Sequence, residues 1–332
     1  MNKFTKLAAV AAGLVLASAA SAVAAEKLTL TMNWRADSAH LGFAMAQKNG
    51  YYAAEGLEVV LQEGRGSGVA AQLVATGQSD LGLADAGAIL NAASKGAPIK
   101  IVSTIWKAGQ FGINFLDKSG IKTPKDLAGK KIAVAPGAAV VPLVPLFLKA
   151  NGIPESSVTI VSAAQAASLG LLTSGGVDAV AETPENIVVP LAAQGQKASV
   201  IYFYDNGVPL ISLSLVARDD KLAARPDVYK KFVAATAKGW EAAIKNPSAS
   251  VDALKALFPD MEKSKEDLLK GAVYSFASVC PAGKGDTIGA TKPEVWQKTY
   301  EVMTTAMGFP TDKPITNYYT NAYLPATPVL CP

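Results

Sequence analysis

Residues 27–43 read Lys-Leu-Thr-Leu-Thr-Met-Asn-Trp-Arg-Ala-Asp-Ser-Ala-His-Leu-Gly-Phe, and this stretch decides the fold. Apolar residues alternate at Leu28, Leu30 and Met32, which predicts a β-strand, and the apolar spacing from Leu41 predicts a helix directly after it. The loop between them holds an indole, an arginine, an acid and the only histidine of the chain. In an open α/β sheet, ligands bind at loops that leave the carboxyl ends of strands. The stretch therefore predicts an α/β fold with a binding loop after its first strand.

The first 25 residues have the three parts of a secretory signal peptide. Lys3 and Lys6 make a positive start, residues 7–20 are apolar and uncharged, and small residues offer cleavage after Ala24 or Ala25. The apolar run is shorter than the roughly 20 residues that a membrane-spanning helix needs. We therefore expect a periplasmic protein that has lost residues 1–25, with a retained N-terminal anchor as the alternative.

The composition argues against several kinds of partner. The formal net charge of +4 falls to +2 when the two lysines of the signal are removed, which is too near neutral to favour nucleic acid or an anionic membrane. With one histidine and two cysteines the chain lacks the residues of a zinc site, so we expect no metal and no cofactor. In an oxidising compartment, Cys280 and Cys331 most simply form one disulfide, and two free thiols are the alternative.

Strand and helix patterns alternate along the chain, which predicts a layered α/β fold with largely parallel strands. Two blocks repeat the order of strand, small-residue loop and helix, and the second block begins near Gly120. A turn at residues 205–207 and a strand after it return the chain to the first block. We therefore predict two similar lobes, one made of residues 26–113 and 212–332 and the other of residues 114–211.

The candidate binding residues of the first lobe stand where its predicted strands end. They are Asn33, Trp34, His40, Arg65, Gly66, Ser67, Asp85 and Trp106. The indole of Trp34, set among polar neighbours, can stack on a flat ligand, and burial in a core is the alternative. His40 suits a hydrogen bond to a ligand better than catalysis, because no Gly-x-Ser-x-Gly elbow supplies a nucleophile. Residues 64–68 lack the lysine of a P-loop, yet their backbone N–H groups at a helix start can meet an anion or a carbonyl oxygen.

The second lobe has fewer candidates. Gly137 and Ala138 occupy the equivalent small-residue loop before a helix, and Glu182 ends a strand where its carboxylate can accept a ligand N–H. Glu185 is expected in the first turn of the helix that follows, and Tyr204 lies at the proposed crossover between the lobes. These residues predict a ligand contact from the second lobe.

Read in order, several segments resemble periplasmic solute-binding proteins of the nitrate/sulfonate/thiamine-pyrimidine superfamily, nearest to the thiamine-pyrimidine-synthase-like branch. The segments that carry the resemblance are Asn33-Trp34 with His40-Leu41-Gly42, residues 48–57, residues 66–68, residues 77–82, residues 123–132 and residues 318–325. The resemblance implies a two-lobed type II periplasmic binding protein fold with a crossover hinge. It also implies that the loaded protein delivers its solute to an inner-membrane ABC permease.

The enzymatic branch of that superfamily carries a cysteine-rich motif, which this chain lacks. We therefore expect a monomeric binding protein, not an enzyme, that captures a small planar heteroaromatic or aromatic solute. A first alternative keeps the fold and has Arg35 or Arg65 clamp an anion such as a sulfonate, nitrate or aromatic carboxylate. A second is a secreted enzyme that uses His40 with Asp37 or Asp85, and a third is a sensor subunit that feeds a receptor.

Overall fold

The structure is a computed structural model that describes residues 25–332, except for the side chains of residues 306 and 307. The predicted signal peptide and its cleavage after Ala24 or Ala25 fall outside the described residues or at their edge. Among the helices of residues 25–332, none is long and apolar enough to cross a membrane.

The first sheet has five strands, labelled in chain order. They are β1 (Glu26–Thr31), β2 (Leu57–Gln62), β3 (Leu81–Asp85), β4 (Ile99–Thr104) and β10 (Leu213–Arg218), arranged as β2-β1-β3-β10-β4. Strand β1 runs parallel to β2 and β3, whereas β10 is antiparallel to both β3 and β4. The alternation in β1 has its expected effect, because Leu28 and Leu30 are fully buried.

The second sheet repeats this arrangement. Its strands are β5 (Gly112–Leu116), β6 (Lys131–Val134), β7 (Thr159–Ser162), β8 (Ala179–Glu182) and β9 (Ala198–Tyr202), arranged as β7-β6-β8-β5-β9. Strands β6, β7 and β8 are parallel, and β5 is antiparallel to β8 and β9. Each sheet thus has one antiparallel strand, and the chain enters it directly after crossing from the other sheet. We call each sheet with its helices a lobe.

The chain crosses between the sheets at residues 105–111 and again at residues 203–212. The division of the chain into two lobes stays a proposal. Its first boundary lies before β5, because the predicted boundary between residues 113 and 114 would divide that strand. The sequence did not predict β5, since Gly112 and Asn114 interrupt its apolar pattern. Asn114 is nonetheless fully buried, and its amide nitrogen donates to the carbonyls of Val180 (3.2 Å) and Glu182 (2.7 Å) of the neighbouring strand.

Helices cover both sheets. They are α1 (Leu41–Lys48), α2 (Tyr51–Ala54), α3 (Ser67–Ala75), α4 (Ala86–Ser94), α5 (Leu143–Ala150), α6 (Gln165–Ser174), α7 (Pro184–Ala193), α8 (Asp219–Ala224), α9 (Pro226–Lys245), α10 (Pro247–Leu257), α11 (Lys265–Val279) and α12 (Pro293–Met307). Short 3-10 turns lie at Ser38–His40 and Pro124–Leu127, the second capped by Thr123 as its sequence predicts. Helix α5 begins later than the sequence indicates, and the short α8 was not predicted.

Two packing features position the site. Helices α1 and α9 approach backbone to backbone, because a Cβ on Gly239 would lie 2.2 Å from the carbonyl oxygen of Gly42. Helix α11 packs on the first lobe through Leu268 and Ala272, which share a buried cluster with Leu41 of α1 and residues of α10. The neighbouring face of α11, at Asp267 and Gly271, lies against α7 of the second lobe. Helix α11 therefore forms one side of a seam between the lobes.

A disulfide joins Cys280, just after α11, to Cys331, with 6.1 Å between their Cα atoms. The loop that follows Cys280 holds the first crossover. Lys107 Nζ lies 2.7 Å from Asp286 Oδ1 and donates to the Thr287 carbonyl at 2.8 Å. The C-terminal tail and the first crossover are thus tied to the same loop.

Candidate functional site

Three loops at the carboxyl ends of β1, β2 and β3 are joined by hydrogen bonds, and we call residues 32–40, 63–67 and 85–87 the first-lobe wall. The carbonyl of Asn33 accepts from the Gly66 N–H at 2.8 Å, and the carbonyl of Trp34 accepts from the Gly64 N–H at 3.0 Å. The Asp85 N–H in turn donates to the Ser67 hydroxyl at 2.9 Å. Seven predicted residues, Asn33, Trp34, His40, Arg65, Gly66, Ser67 and Asp85, therefore belong to one connected group of loops.

Gly64 is required where two of these loops meet. A Cβ at this position would lie 1.7 Å from the carbonyl oxygen of Met32, which is far inside any allowed contact. Gly66 has φ +126° as the residue before α3, a conformation that side chains rarely adopt. Within the segment whose backbone N–H groups are predicted to meet an anion or a carbonyl oxygen, Gly64 thus allows the close approach of the two loops.

His40 is fully buried, and both of its ring nitrogens are engaged within the wall. Its Nε2 lies 3.0 Å from Asn33 Oδ1, and its Nδ1 lies 3.1 Å from both the backbone nitrogen and Oδ1 of Asp37. Burial alone would raise the pKa of Asp37, but His40 and Lys263 hold it below its ordinary value. The imidazole therefore positions Asn33 and Asp37 in this structure, and a hydrogen bond from His40 to a solute stays a prediction.

Trp34 is the exposed aromatic residue of the wall. Its side chain is 45% exposed, whereas the other three tryptophans of the chain are 3% exposed or less. Arg35 and Arg65 are also exposed, and neither has an ion-pair partner among residues 25–332. The wall therefore presents a flat apolar ring with two free cations beside it.

Asp85 is held on three sides. Its Oδ1 accepts from the Gly87 N–H at 3.0 Å, which caps α4, and its Oδ2 accepts from the Ser212 hydroxyl at 3.0 Å. Burial raises the pKa of Asp85, and these hydrogen bonds offset part of the rise. Asp85 and Tyr204 line one small cavity at the crossover, of about 20 Å³, together with Phe111. The structure thus brings these two predicted residues together.

Trp106 does not reach this surface. It is 3% exposed and packs in the core of the first lobe with Ile105 and Leu213. The first crossover passes through this residue, and the backbone N–H of Trp106 donates to the Leu213 carbonyl at 2.9 Å. The ring lies in the core of the first lobe in this structure, and its contact with a solute stays a prediction.

The loops after β6 and β8, residues 135–142 and 182–186, form what we call the second-lobe wall. Gly137 is exposed with φ +77°, and Ala138 is half-buried in a turn. The sequence places these two residues directly before a helix. In the structure α5 begins only at Leu143, so they do not stand at a helix N-terminus. They offer backbone edges without the added field of a helix.

Glu182 ends β8 and is 8% exposed. Its Oε1 accepts from the Thr183 N–H at 2.9 Å, and burial raises the pKa of its carboxyl group. The carboxylate predicted to meet a ligand N–H thus sits at the expected strand end, with one of its oxygens bound to the next residue.

Glu185 is the residue that the sequence analysis did not select. It lies in the first turn of α7 as predicted, yet it is 8% exposed and its Oε2 has no hydrogen-bond partner among the described residues. Burial and the charge of Asp37 raise the pKa of Glu185 to about 8. Acids are common in the first turn of a helix, so sequence alone gives no reason to bury this one. The packing of α11 against α7 is what buries Glu185.

A cavity of about 280 Å³ lies in the seam between α7 and α11. Ser38 of the first-lobe wall, Glu185 and Val189 of α7, and Gly271 of α11 line it, with Lys263 and Asp267. Its size is near the lower end of small-molecule pockets, which start at about 300 Å³. Both walls therefore end on this seam.

The polar side chains of the first-lobe wall bind one another. The hydrogen-bond partners of His40 are Asn33 and Asp37, so within residues 25–332 no hydroxyl or thiol is activated by it. In the same part of the chain, no cluster of three or more metal-ligating side chains is present. The exposed side chains of this wall include the ring of Trp34 and the guanidinium groups of Arg35 and Arg65.

Comparison with known proteins identifies the family of the chain and two similar binding proteins. The family described as NMT1/THI5 like matches residues 37–250. A formylaminopyrimidine-binding protein of Halalkalibacterium halodurans is 27% identical over 254 residues, which cover 74% of this chain and 76% of that protein. The riboflavin-binding protein RibY of Chloroflexus aurantiacus is 25% identical over 312 residues, which cover 90% of this chain and 86% of RibY.

The fold has a solved counterpart. The periplasmic aliphatic sulphonate binding protein SsuA of Escherichia coli superimposes with a TM-score of 0.71 at 17% identity, over 90% of this chain and 99% of SsuA. At this identity the likeness shows the fold alone, and it confirms the predicted two-lobed type II periplasmic binding protein fold. Because the family match spans more than half of the residues, the chain belongs to the NMT1/THI5-like family.

Proposed function

We propose that this protein is the periplasmic solute-binding subunit of an ABC importer, and that it captures a small planar heteroaromatic or aromatic compound. Two similar proteins are named for binding a formylaminopyrimidine and riboflavin, and both of those ligands contain flat heteroaromatic rings. The bound solute would be buried by closure of the lobes and passed to an inner-membrane permease. The protein would act as a monomer after loss of its signal peptide, without catalysis.

The observation that carries this proposal is the exposed indole of Trp34 on a fixed wall. With 45% exposure, this indole offers an apolar face and an N–H donor to a ligand. Here the carbonyls of Asn33 and Trp34 are both held by the loop after β2. A ring fixed in this way can stack on a planar solute at little cost in conformational entropy.

The carboxyl groups of the walls favour a solute with N–H donors over an anion. Asp85 and Glu182 both stand at strand ends, and burial raises the pKa of each. These carboxyl oxygens can accept from amine or ring N–H groups, whereas a sulfonate or carboxylate brings acceptors only and is repelled by any carboxyl group that is ionised. The anionic alternative would depend on Arg35 and Arg65, whose side chains are exposed to solvent.

Trp34 also provides the test, because its fluorescence can be separated from that of the buried tryptophans. Acrylamide should quench the exposed Trp34, and a stacked solute should protect it. The probes are riboflavin, aminopyrimidines, aromatic carboxylates and alkanesulfonates, screened first by thermal shift. A solute at 100 times its Kd stabilises the folded protein by about 2.7 kcal/mol, which is measurable.

For the solute that binds, we expect Trp34→Ala to weaken affinity roughly tenfold, because stacking and burial of the ring contribute about 1–2 kcal/mol. Trp34→Phe is the matched control, since it keeps a ring and loses the fluorophore. An unchanged Kd in Trp34→Ala would contradict the stacking role. Selective binding of sulfonates, lost in Arg65→Ala and at high salt, would establish the anionic alternative instead.

A further inference from the structure

Glu185 and Ser38, the residue that follows Asp37, line the same seam cavity between the lobes. Asp37 belongs to the first-lobe wall and Glu185 to α7 of the second lobe, and each is more than nine-tenths buried. Gly271 of α11 makes the approach tight, because a Cβ at that position would lie 2.6 Å from Ser38 Oγ and 3.7 Å from Glu185 Cβ. Two carboxyl groups from different lobes are thus enclosed in one interface.

The two carboxyl groups are unequally supported. Asp37 Oδ1 accepts from the Ala39 N–H at 2.9 Å, and Lys263 Nζ lies 4.0 Å from its Oδ2. Glu185 Oε2 is buried without a partner and lines the seam cavity. Since an ionised carboxylate without a hydrogen bond is costly to bury, the proton belongs on Glu185.

The groups around Glu185 add little that would stabilise its charge. Lys263 lowers the pKa of Glu185, while Asp37 and Glu182 raise it. The phenols of Tyr202 and Tyr274 have pKa values raised by burial first and by Glu185 among other causes. The remaining charged group of the cavity is Asp267 of α11. The surroundings are acidic overall, with Lys263 as the one cation lining the cavity among the described residues.

We propose that Glu185 is a proton-operated latch for lobe closure. With its proton, Glu185 sits neutral opposite Asp37 and the seam between α7 and α11 stays closed. Without its proton, two carboxylates would face each other in a buried interface, and the seam opens so that both are hydrated. The latch rests on the proposed function in one respect, because closure over a solute is the motion that it would regulate.

The direction of the pH effect follows from this arrangement. In the closed form the pKa of Glu185 is about 8, against an ordinary value of 4.5 when the group is exposed. Closure therefore takes up a proton, is most favoured below about pH 4.5, and weakens as the pH rises toward about 8. Linkage of one proton changes the ratio of closed to open protein by up to about tenfold per pH unit.

The test uses the full mature chain without solute, so that it does not depend on the proposed function. Small-angle scattering should show the wild-type protein becoming more extended between pH 5.5 and pH 8.5. Glu185→Gln, which is neutral at every pH and nearly isosteric, should stay compact throughout. Asp267→Asn, in the same cavity, should follow the wild type. A carboxyl ¹³C NMR titration of Glu185 is the independent measurement.

A wild-type protein whose dimensions do not change with pH would overturn the latch, as would a Glu185→Gln variant that opens at the same pH. Titration of Glu185 near its ordinary value would do the same. If the latch fails while a planar solute binds, the proposed function stands. If the latch is present and every solute class fails to bind, the latch stands and the proposed function does not.

Discussion

The two walls that face each other across the lobes differ in how far their polar groups are satisfied. In the first-lobe wall, His40, Asn33, Ser67 and Asp85 exchange hydrogen bonds with one another or with neighbouring backbone. In the second-lobe wall, Glu182 uses one oxygen and Glu185 Oε2 has no partner among the described residues. The first wall is complete without a solute, whereas the second leaves acceptors open.

This difference assigns the walls different tasks. A wall whose hydrogen bonds are internal is pre-organised, so its exposed ring can bind without first being ordered. A wall with buried acids costs free energy when it closes, and a proton or a solute donor must offset that cost. Apart from the exposed Trp34, substitutions in the first wall should therefore act mainly on stability, and substitutions in the second mainly on pH dependence.

The largest effect is expected at Gly64, where the first wall is tightest. In Gly64→Ala the new Cβ would lie 1.7 Å from a backbone carbonyl, so one of the two loops must move. We expect a loss at or beyond the upper end of the roughly 1–3 kcal/mol that overpacking costs, measured by urea denaturation. Gly68→Ala is the control, because its Cβ meets open space at the start of α3. Equal stability of both variants would show that the wall is not rigid.

A smaller effect is expected when the link between Asn33 and His40 is cut. Asn33→Ala removes the acceptor from a buried ring nitrogen and should destabilise the fold by about 1–3 kcal/mol. Asn33→Asp keeps an acceptor oxygen and should recover part of the loss. Since Trp34 is the next residue, the alanine variant should also leave it more open to acrylamide quenching. If Asn33→Ala is as stable as the wild type, the first wall does not depend on this contact.

The sequence predicted most of the fold because the signals were local. Alternation of apolar residues predicted β1, and the apolar spacing from Leu41 predicted α1. Strand β5 was missed because Asn114 is polar at a fully buried position, where only the neighbouring strand supplies acceptors for its amide. That compensation lies 66 and 68 residues away in the chain, so no local pattern contains it.

The site divides in the same way. Residues of the first wall could be found because each follows a strand, although their roles depend on direction, as the inward turn of Trp106 shows. The sequence could place Glu185 in the first turn of its helix. It could not predict that the side chain is buried, because α11 of the other lobe covers it. Contacts between lobes have no signature in a single sequence.

The smallest effect on stability is expected at Glu182, where the second wall can be tested without opening the seam. Glu182→Gln keeps an acceptor for the Thr183 N–H and cannot ionise. Burial raises the pKa of Glu182 above its ordinary 4.5, so the folded wild type binds its proton more tightly than the unfolded chain does. Wild-type stability from this group is then present below about pH 4.5 and is lost as the pH rises through the folded-state pKa.

The glutamine variant should therefore lie within about 1 kcal/mol of the wild type, less stable or equal at pH 4 and gaining relative to it at pH 7.5. Urea denaturation at both pH values measures this difference, with the exposed Glu155→Gln as a control that should show no such gain. A gain that is the same at both pH values would mean that ionisation of Glu182 is not what burial penalises. A loss as large as that at Asn33 would mean that the second wall is as firmly organised as the first, and the contrast between them would fail.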